Sequence, residues 1–496
     1  MTIRTFLFAS TAALIAGAAQ AQSISIGLLS DPDLLDPDRS RTFVGKVVFQ
    51  SMCDTLVDVD ADLNYVPELA TAWSLDESET ALTFNLREGV VFHDGTPFNA
   101  AAVAANFERS LTLPDSLRRT ELASVESVEV VDDLTVILHL KAPDSTLMSQ
   151  LTGQPGMMKS PTAFNNGSDF AQNPVCAGPY VFDSRVQNDR ITLTRFADYY
   201  EPERYHFDSV TYLPVPDSTV RLANLRSGAL QIIERVDPSD LDSMRSDSNV
   251  ALAEAPSLGW RGLEVNLNAD TPMANDLRVR QAFDLAIDRD IINQVLGHGV
   301  LTPNRQPFAP MHFAYDPEIR ADGRDVERAR ALLTEAGYDR VPVELLFANN
   351  TLAQSLMEMI QAMAGEAGFD VSLRATEFSA MQAALAEGNY EVGQAGWAGR
   401  VDPDGNFANF IYCDGSLNDT GFCSPEVDRL WTAAKETSDV AARTALYSEA
   451  MALVNAEMPY VFLYTEGYSY GLDAALTGFI PHPDGVVRLQ DVSFTQ

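Results

Sequence analysis

Twice in succession the sequence runs an apolar helical repeat into a glycine and then into a short strand. Residues 326–336 carry apolar side chains at helical spacing, stop at Gly337 and lead to a strand over 343–347. Residues 351–367 do the same, stop at Gly368 and lead to a strand over 371–374. Glycine just past the last helical turn accepts the left-handed backbone that closes a helix. Neighbouring parallel strands need a crossover helix of this kind. The alternation therefore predicts an α/β unit, which a helix over 379–387 before Gly388 extends. Just upstream, 277–296 reads as one long amphipathic helix with Val279, Phe283, Ala286, Ile287, Ile291 and Val295 on a single face.

The first half of the chain has a different rhythm. Residues 23–30 alternate as an opening strand, 125–131 and 135–140 flank Asp132-Asp133 as a hairpin, and 180–182 with 191–195 suggest a second one. Asn99 is placed to cap a helix over 100–111, and Asp217 another over 218–226. Residues 53–171 thus read as a strand-rich unit, and a new α/β unit begins near 263. At 496 residues the chain exceeds one ordinary core, so two or three folding units are expected.

The N-terminus sets the compartment. Arg4, an apolar run over 6–19 and the small-x-small triplet Ala19-Gln20-Ala21 form a secretory leader, cleaved after Ala21. The apolar run is shorter than the ~20 residues a membrane-spanning helix needs. Export suits the even cysteine count: Cys53, Cys176, Cys413 and Cys423 allow three pairings. Turn residues between Cys413 and Cys423 favour joining those two, which leaves Cys53 with Cys176. With no Cys-x-x-Cys and no Cys/His cluster, neither a metal nor another cofactor is expected. Seventy acidic residues against 34 basic ones, a formal charge of −36, argue against a nucleic-acid partner. The acidity reads as a solvated surface or as an attraction for cationic solutes.

One long block carries a family resemblance. Leu69-Ala70-Thr71-Ala72-Trp73, followed by the run from Leu82-Thr83-Phe84-Asn85-Leu86-Arg87-Glu88-Gly89 through Val90-Val91-Phe92-His93-Asp94-Gly95-Thr96-Pro97-Phe98, resembles the family 5 extracellular solute-binding proteins, peptide and nickel type. Cys176-Ala177-Gly178-Pro179-Tyr180, Arg278-Val279-Arg280-Gln281-Ala282, Gly396-Trp397 and Ser424-Pro425-Glu426 agree in order. The resemblance implies a periplasmic, two-lobed α/β binding protein with an extra strand-rich subdomain inserted in lobe one. Its ligand, a dipeptide or short oligopeptide, would be enclosed between lobes and handed to the permease of an ABC importer. Opines, amino-acid derivatives and oligosaccharides are the alternative solutes. Lobe one would comprise 22–52, 172–262 and 478–496, the insert 53–171 and lobe two 263–477, in a protein expected to be a monomer and not an enzyme.

The resemblance also suggests where a ligand sits. Relatives that bind dipeptides carry an acidic amine anchor soon after the Gly-Trp turn. Here Gly396-Trp397-Ala398-Gly399 is followed by Arg400 and then Val401-Asp402-Pro403-Asp404-Gly405. Arg400 offers a fork to a carboxylate, or an interlobe ion pair. Asp402 offers an acceptor to an amine, or a plain turn. Trp397, Trp260, Arg261 and Ser30, with Asp31 and Leu35, are further candidates to line the cleft. His93 reads as a structural residue of its turn. Gly467-Tyr468-Ser469-Tyr470-Gly471 matches a hydrolase nucleophile elbow, but no helix pattern follows, and His482 and Asp484 come in the wrong order.

Overall fold

In the computed structural model, which describes residues 22–320 and 323–495, the chain opens with strand β1 (Ser23–Leu28) and helix α1 (Phe43–Gln50). The leader lies outside the described residues. The chain then enters the strand-rich segment. Strands β2 (Ala70–Leu75), β3 (Ala81–Leu86), β4 (Val125–Asp132) and β5 (Thr135–Leu140) form an antiparallel sheet ordered β2-β3-β5-β4. Helix α2 (Ala100–Thr112) packs against it, capped by the Asn99 side chain as its sequence suggests. Phe84, Phe92, Phe98 and Phe107 fill a core of its own. The covalent bond between Cys53 and Cys176 ties the two ends of this insert together.

After the insert come β6 (Tyr180–Val186), β7 (Arg190–Arg195), β8 (Ser209–Pro214), helix α3 (Ser218–Arg226) capped by Asp217, and β9 (Ile232–Ile233). Strand β10 (Val250–Val265) is sixteen residues long. Helices α4 (Leu277–Ala286) and α5 (Arg289–Leu296) follow, then the short β11 (Thr302–Pro303). The two helix–glycine–strand cycles appear as α6 (Val326–Ala336), β12 (Val341–Ala348), α7 (Thr351–Ala367) and β13 (Phe369–Thr376). Gly337 and Gly368 take φ of 90° and 108° at their C-termini, the left-handed state the sequence called for. Helix α8 (Phe378–Ala386), strand β14 (Val392–Trp397), helices α9 (Asp404–Ile411), α10 (Pro425–Lys435) and α11 (Val440–Glu457), and the long strand β15 (Tyr460–Asp473) complete the element order needed here.

One eleven-stranded sheet runs through both lobes in the order β13-β12-β14-β10-β15-β9-β1-β8-β7-β6, with β11 beside β15. Its centre is the antiparallel pair β10–β15. Val250 to Pro256 pair with Asp473 to Gly467 in the first lobe, and Trp260 to Glu264 pair with Thr465 to Tyr460 in the second. The register slips between Pro256 and Trp260. A bulge of this kind bends the strands and sharpens their twist, so the sheet changes direction where it changes lobe. Separate cores lie on either side: Ile26, Phe49, Tyr212 and Tyr470 belong to one, Leu263, Phe283, Ile360 and Leu463 to the other.

One expectation is corrected here. The helix predicted over 277–296 is two helices, because Ile287 is extended and the Asp288 side chain accepts from the Ile291 amide to start α5 anew. Ile291 and Val295 are consequently exposed, at 39% and 55%. Strand β15 returns to the first core at Gly467, and Tyr468, Tyr470 and Leu472 are buried there.

Candidate functional site

The bulge in β10 is closed by its own residues: the buried Ser257 Oγ accepts from the Gly259 amide at 3.0 Å. The loop after β14 rests directly on it. A Cβ on Gly399 would stand 2.2 Å from the Leu258 carbonyl carbon, and one on Gly259 would stand 2.8 Å from the Trp397 oxygen. Gly399 also has φ of +82°. Glycine at both positions lets the loop 398–403 lie flush against the point where the lobes meet.

That loop is held residue by residue. The fully buried Asn406 grips both sides of Arg400: its Oδ1 accepts from the Arg400 amide, and its Nδ2 donates to the Arg400 carbonyl at 3.0 Å. His312 Nε2 donates to the Val401 carbonyl at 2.7 Å while its Nδ1 accepts from the Ala314 amide at 3.2 Å, which fixes a neutral tautomer. Burial lowers the His312 pKa to about 4, in keeping with that role. Asp402 is held in turn by Arg443, whose Nη2 lies 2.8 Å from Oδ2. Asn406, His312 and Arg443 are the supports that sequence reasoning missed. His312 and Arg443 sit in apolar stretches with partners distant in the chain, whereas Asn406 acts on Arg400 from only six residues away.

With its backbone clamped, Arg400 lays its side chain over Trp397. The guanidinium stacks 5.1 Å from the Trp397 ring, and Nη1 donates to the Gly399 carbonyl at 2.7 Å. Trp397 is fixed from behind by Nε1 donating to the Gly405 carbonyl at 2.9 Å. Arg400 remains exposed, yet protein surrounds it closely enough to pull its pKa below the ordinary value. Glu121 of the insert opposes that shift from across the cleft, and Tyr468 of β15 also lies within its electrostatic reach.

The opposite wall combines elements of lobe one and the insert. Tyr468 is 6% exposed, and the Arg235 guanidinium lies 5.0 Å from its ring and 5.6 Å from that of Phe43. Arg235 adopts φ of +51°, a backbone state that costs a non-glycine residue free energy and gathers at functional sites. Glu121 lies 2.8 Å from Arg118 Nη1, and burial raises its carboxyl against the pull of Arg118, Arg400 and Lys46. Lys46 lies 3.6 Å from Asp484, which burial alone would raise but which Arg488 and Lys46 hold well below its ordinary value.

The remaining sequence candidates fall elsewhere. Trp260 is 1% exposed and sits edge-on to Phe407, Phe410 and Phe462, so its cleft role is replaced by a core role. Asp402, at 2% exposure with both oxygens on Arg443, has no free acceptor for a ligand amine. Gly396 pairs with Arg261 across β10–β14, and its missing side chain makes room for the Arg261 stem. Arg261 braces the crossing strands, with Nη2 2.9 Å from Glu466 and Nη1 donating to the Trp260 and Trp397 carbonyls. Ser30 is exposed just past β1, Asp31 pairs with Arg185 at 2.6 Å, and Leu35 is buried in the first core. The segment 467–471 lies in mid-strand in β15 with no elbow and no following helix, so the hydrolase motif is a coincidence of spelling. His93 serves its turn, through Nε2 to the Gly178 carbonyl at 3.0 Å. Among the described residues no cluster suited to a metal ion occurs, and no helix is long and apolar enough to cross a membrane.

Two contacts close the cleft at its edge. Ser145 of the insert donates through N and Oγ to the Lys435 carbonyl at 2.9 and 2.8 Å. Ser438 donates through N and Oγ to the two oxygens of Glu79 at 3.1 and 2.7 Å. The insert therefore reaches across and holds the second lobe.

Residues 64–418 match the family described as bacterial extracellular solute-binding proteins, family 5, middle region. The glutathione-binding protein GsiB of Pectobacterium atrosepticum is 30% identical over 521 residues, covering 100% of this chain and 99% of that protein. Among solved structures, HbpA2 from Haemophilus parasuis superimposes with a TM-score of 0.86 at 24% identity, over 96% of this chain and 100% of that one. The binding protein AgaA of A. tumefaciens R10, solved with agropinic acid, gives a TM-score of 0.75 at 25% identity, over 96% and 99%.

Proposed function

The chain belongs to the family 5 bacterial extracellular solute-binding proteins, and we propose that it is the periplasmic capture component of an ABC importer, taking up a dipeptide or short peptide-like solute. The observation that carries this reading is the strand pair β10–β15, which passes from one core to the other through a bulge on which the Arg400 loop rests. Two walls that meet through a bulged strand pair can part and close, and a guest that touches both stabilises the closed form by its differential affinity. Arg400 stacked on Trp397 supplies a carboxylate-binding fork. The guest leaves unaltered, and a membrane permease receives it from a monomeric carrier.

On this reading lobe one comprises 22–52, 172–256 and 467–496, lobe two comprises 260–465, and 53–171 is the insert of lobe one. An opine-type solute is the second reading, favoured by the likeness to AgaA with its bound agropinic acid. Mass spectrometry of the co-purifying guest tests both, followed by calorimetry and small-angle scattering with the compound identified. A peptide or opine released intact, and a smaller radius of gyration on rebinding, are the expected results. A chemically converted guest, or an unchanged scattering profile with every peptide and opine offered, refutes the proposal.

A further inference from the structure

The cleft holds two guanidinium groups that, among the described residues, form no ion pair with the protein's own carboxylates. In a chain with 70 acidic residues and 34 basic ones, a cation finds a carboxylate easily. Most of its arginines do so, as Arg109, Arg185, Arg289, Arg443 and Arg488 illustrate. Buried arginines without an acid are satisfied by the backbone: Arg221 and Arg280 each donate to three carbonyls. Arg235 and Arg400 follow neither pattern. Among the described residues neither has a carboxylate within ion-pair distance. Arg400 donates to a single carbonyl, and Arg235 lies against the rings of Phe43 and Tyr468.

Their setting makes the omission costly. Each guanidinium is laid on an aromatic face, which orients it and dries one side. Arg235 also keeps its left-handed backbone at a price in free energy. The other charges of the cleft cancel locally, Glu121 against Arg118 and Lys46 against Asp484. Two positive groups of the cleft therefore have no ion-pair partner in a protein whose total charge is −36. A zwitterion with one carboxylate neutralises only one of them.

We infer that the guest carries at least two carboxylates, one bound by Arg235 of lobe one and the other by Arg400 of lobe two. This rests on the capture function proposed above and narrows its ligand to dicarboxylate peptide-like compounds: acidic dipeptides, γ-glutamyl peptides or dicarboxylate opines. Because the two forks stand on different lobes, the second carboxylate is what draws the lobes together. A monocarboxylate binds one wall and leaves closure incomplete.

Matched pairs of probes test this by calorimetry: Ala-Glu against Ala-Gln, Glu-Ala against Gln-Ala, and S-methylglutathione against Ala-Ala-Gly. The dicarboxylates should bind more tightly than their partners. Arg235→Gln and Arg400→Gln should each weaken the best dicarboxylate about 30-fold, as expected for removing one member of a desolvated charge pair, and should weaken the monocarboxylates far less. Arg235→Lys and Arg400→Lys, which keep the charge and lose the fork, should fall between, and thermal melts of all four variants verify folding. Neutral partners binding within about threefold of the dicarboxylates, or Arg235→Gln binding like wild type, would overturn the dicarboxylate inference while leaving peptide capture standing. If no probe of either class binds the folded wild-type protein, peptide capture falls with it.

Discussion

Arg443 Nη2 lies 3.0 and 2.8 Å from the two carboxylate oxygens of Asp402, with the residues 4% and 2% exposed. Burial alone would lower the Arg443 pKa, but Asp402 and Tyr447 more than offset it, so the guanidinium is firmly charged. Removing one partner strands the other charge in the interior. Arg443→Met should cost about 3–5 kcal/mol of stability, read from urea unfolding, and Asp402→Asn in the same chain should restore part of it. A loss below about 1 kcal/mol would mean that water reaches the pair.

The bond between Cys53 and Cys176 spans 123 residues of sequence and is wholly buried, while Cys413–Cys423 spans ten and is exposed. Loop-closure entropy assigns about 5 kcal/mol to the long bridge and about 3 to the short one. Replacing both cysteines of each pair by serine and comparing unfolding midpoints tests the order. A larger loss from Cys413→Ser/Cys423→Ser would contradict it.

How much of this the sequence discloses depends on range. Caps and turns are local, so Asn99, Asp217, Gly337 and Gly368 were legible, as was the short loop between Cys413 and Cys423. The residues from 277 to 296 were misread because apolar spacing is the same for one helix or two in line, and only Asp288 marks the restart. Arg400 and Trp397 were put forward as candidates through a family turn. The surroundings of Asp402 and Trp260 were not legible, because what buries them arrives from 41 residues away in Arg443 and more than 140 residues away in Phe407. Arg235 gave no sign at all, since an unpaired charge is recognisable only once its neighbours are in place.

Acid should weaken the fold through its buried histidines. Burial lowers His93, His312 and His482 to about 4. Between pH 6.5 and 4 the unfolded chain takes up protons that these rings refuse, so each subtracts about 1.4 kcal/mol per pH unit as the pH falls. Glu68, raised to about 7, and Asp404, raised to about 6, both by burial first, act oppositely. Their contribution is full below the ordinary carboxylate range and is lost as the pH rises through 7 and 6. The three rings and these two carboxyls therefore pull the stability in opposite directions over the same pH range. Histidine ring NMR isolates the effect: the His312 signals should stay neutral down to pH ~4, and a midpoint near 6.5 would refute the assignment.

Glu79→Ala combined with Ser145→Ala removes side-chain bonds between insert and second lobe without touching the cleft. The closed form should lose population, so every ligand should weaken by one common factor, about five- to tenfold, with a larger radius of gyration at subsaturating ligand. Calorimetry on two chemically unlike ligands checks this. A loss confined to one of them would mean that the edge contacts shape the cleft itself.

Gly399 and Gly259 press the Arg400 loop against the fulcrum of the molecule, and a lever moves its parts in proportion to their distance from the fulcrum. When the aperture widens, this loop travels least. On the capture function proposed above, a guest anchored there stays attached while the mouth already gapes, so opening and unloading become separate events, and a receiving partner that pries at the periphery gains the greatest mechanical advantage over a grip it never has to touch.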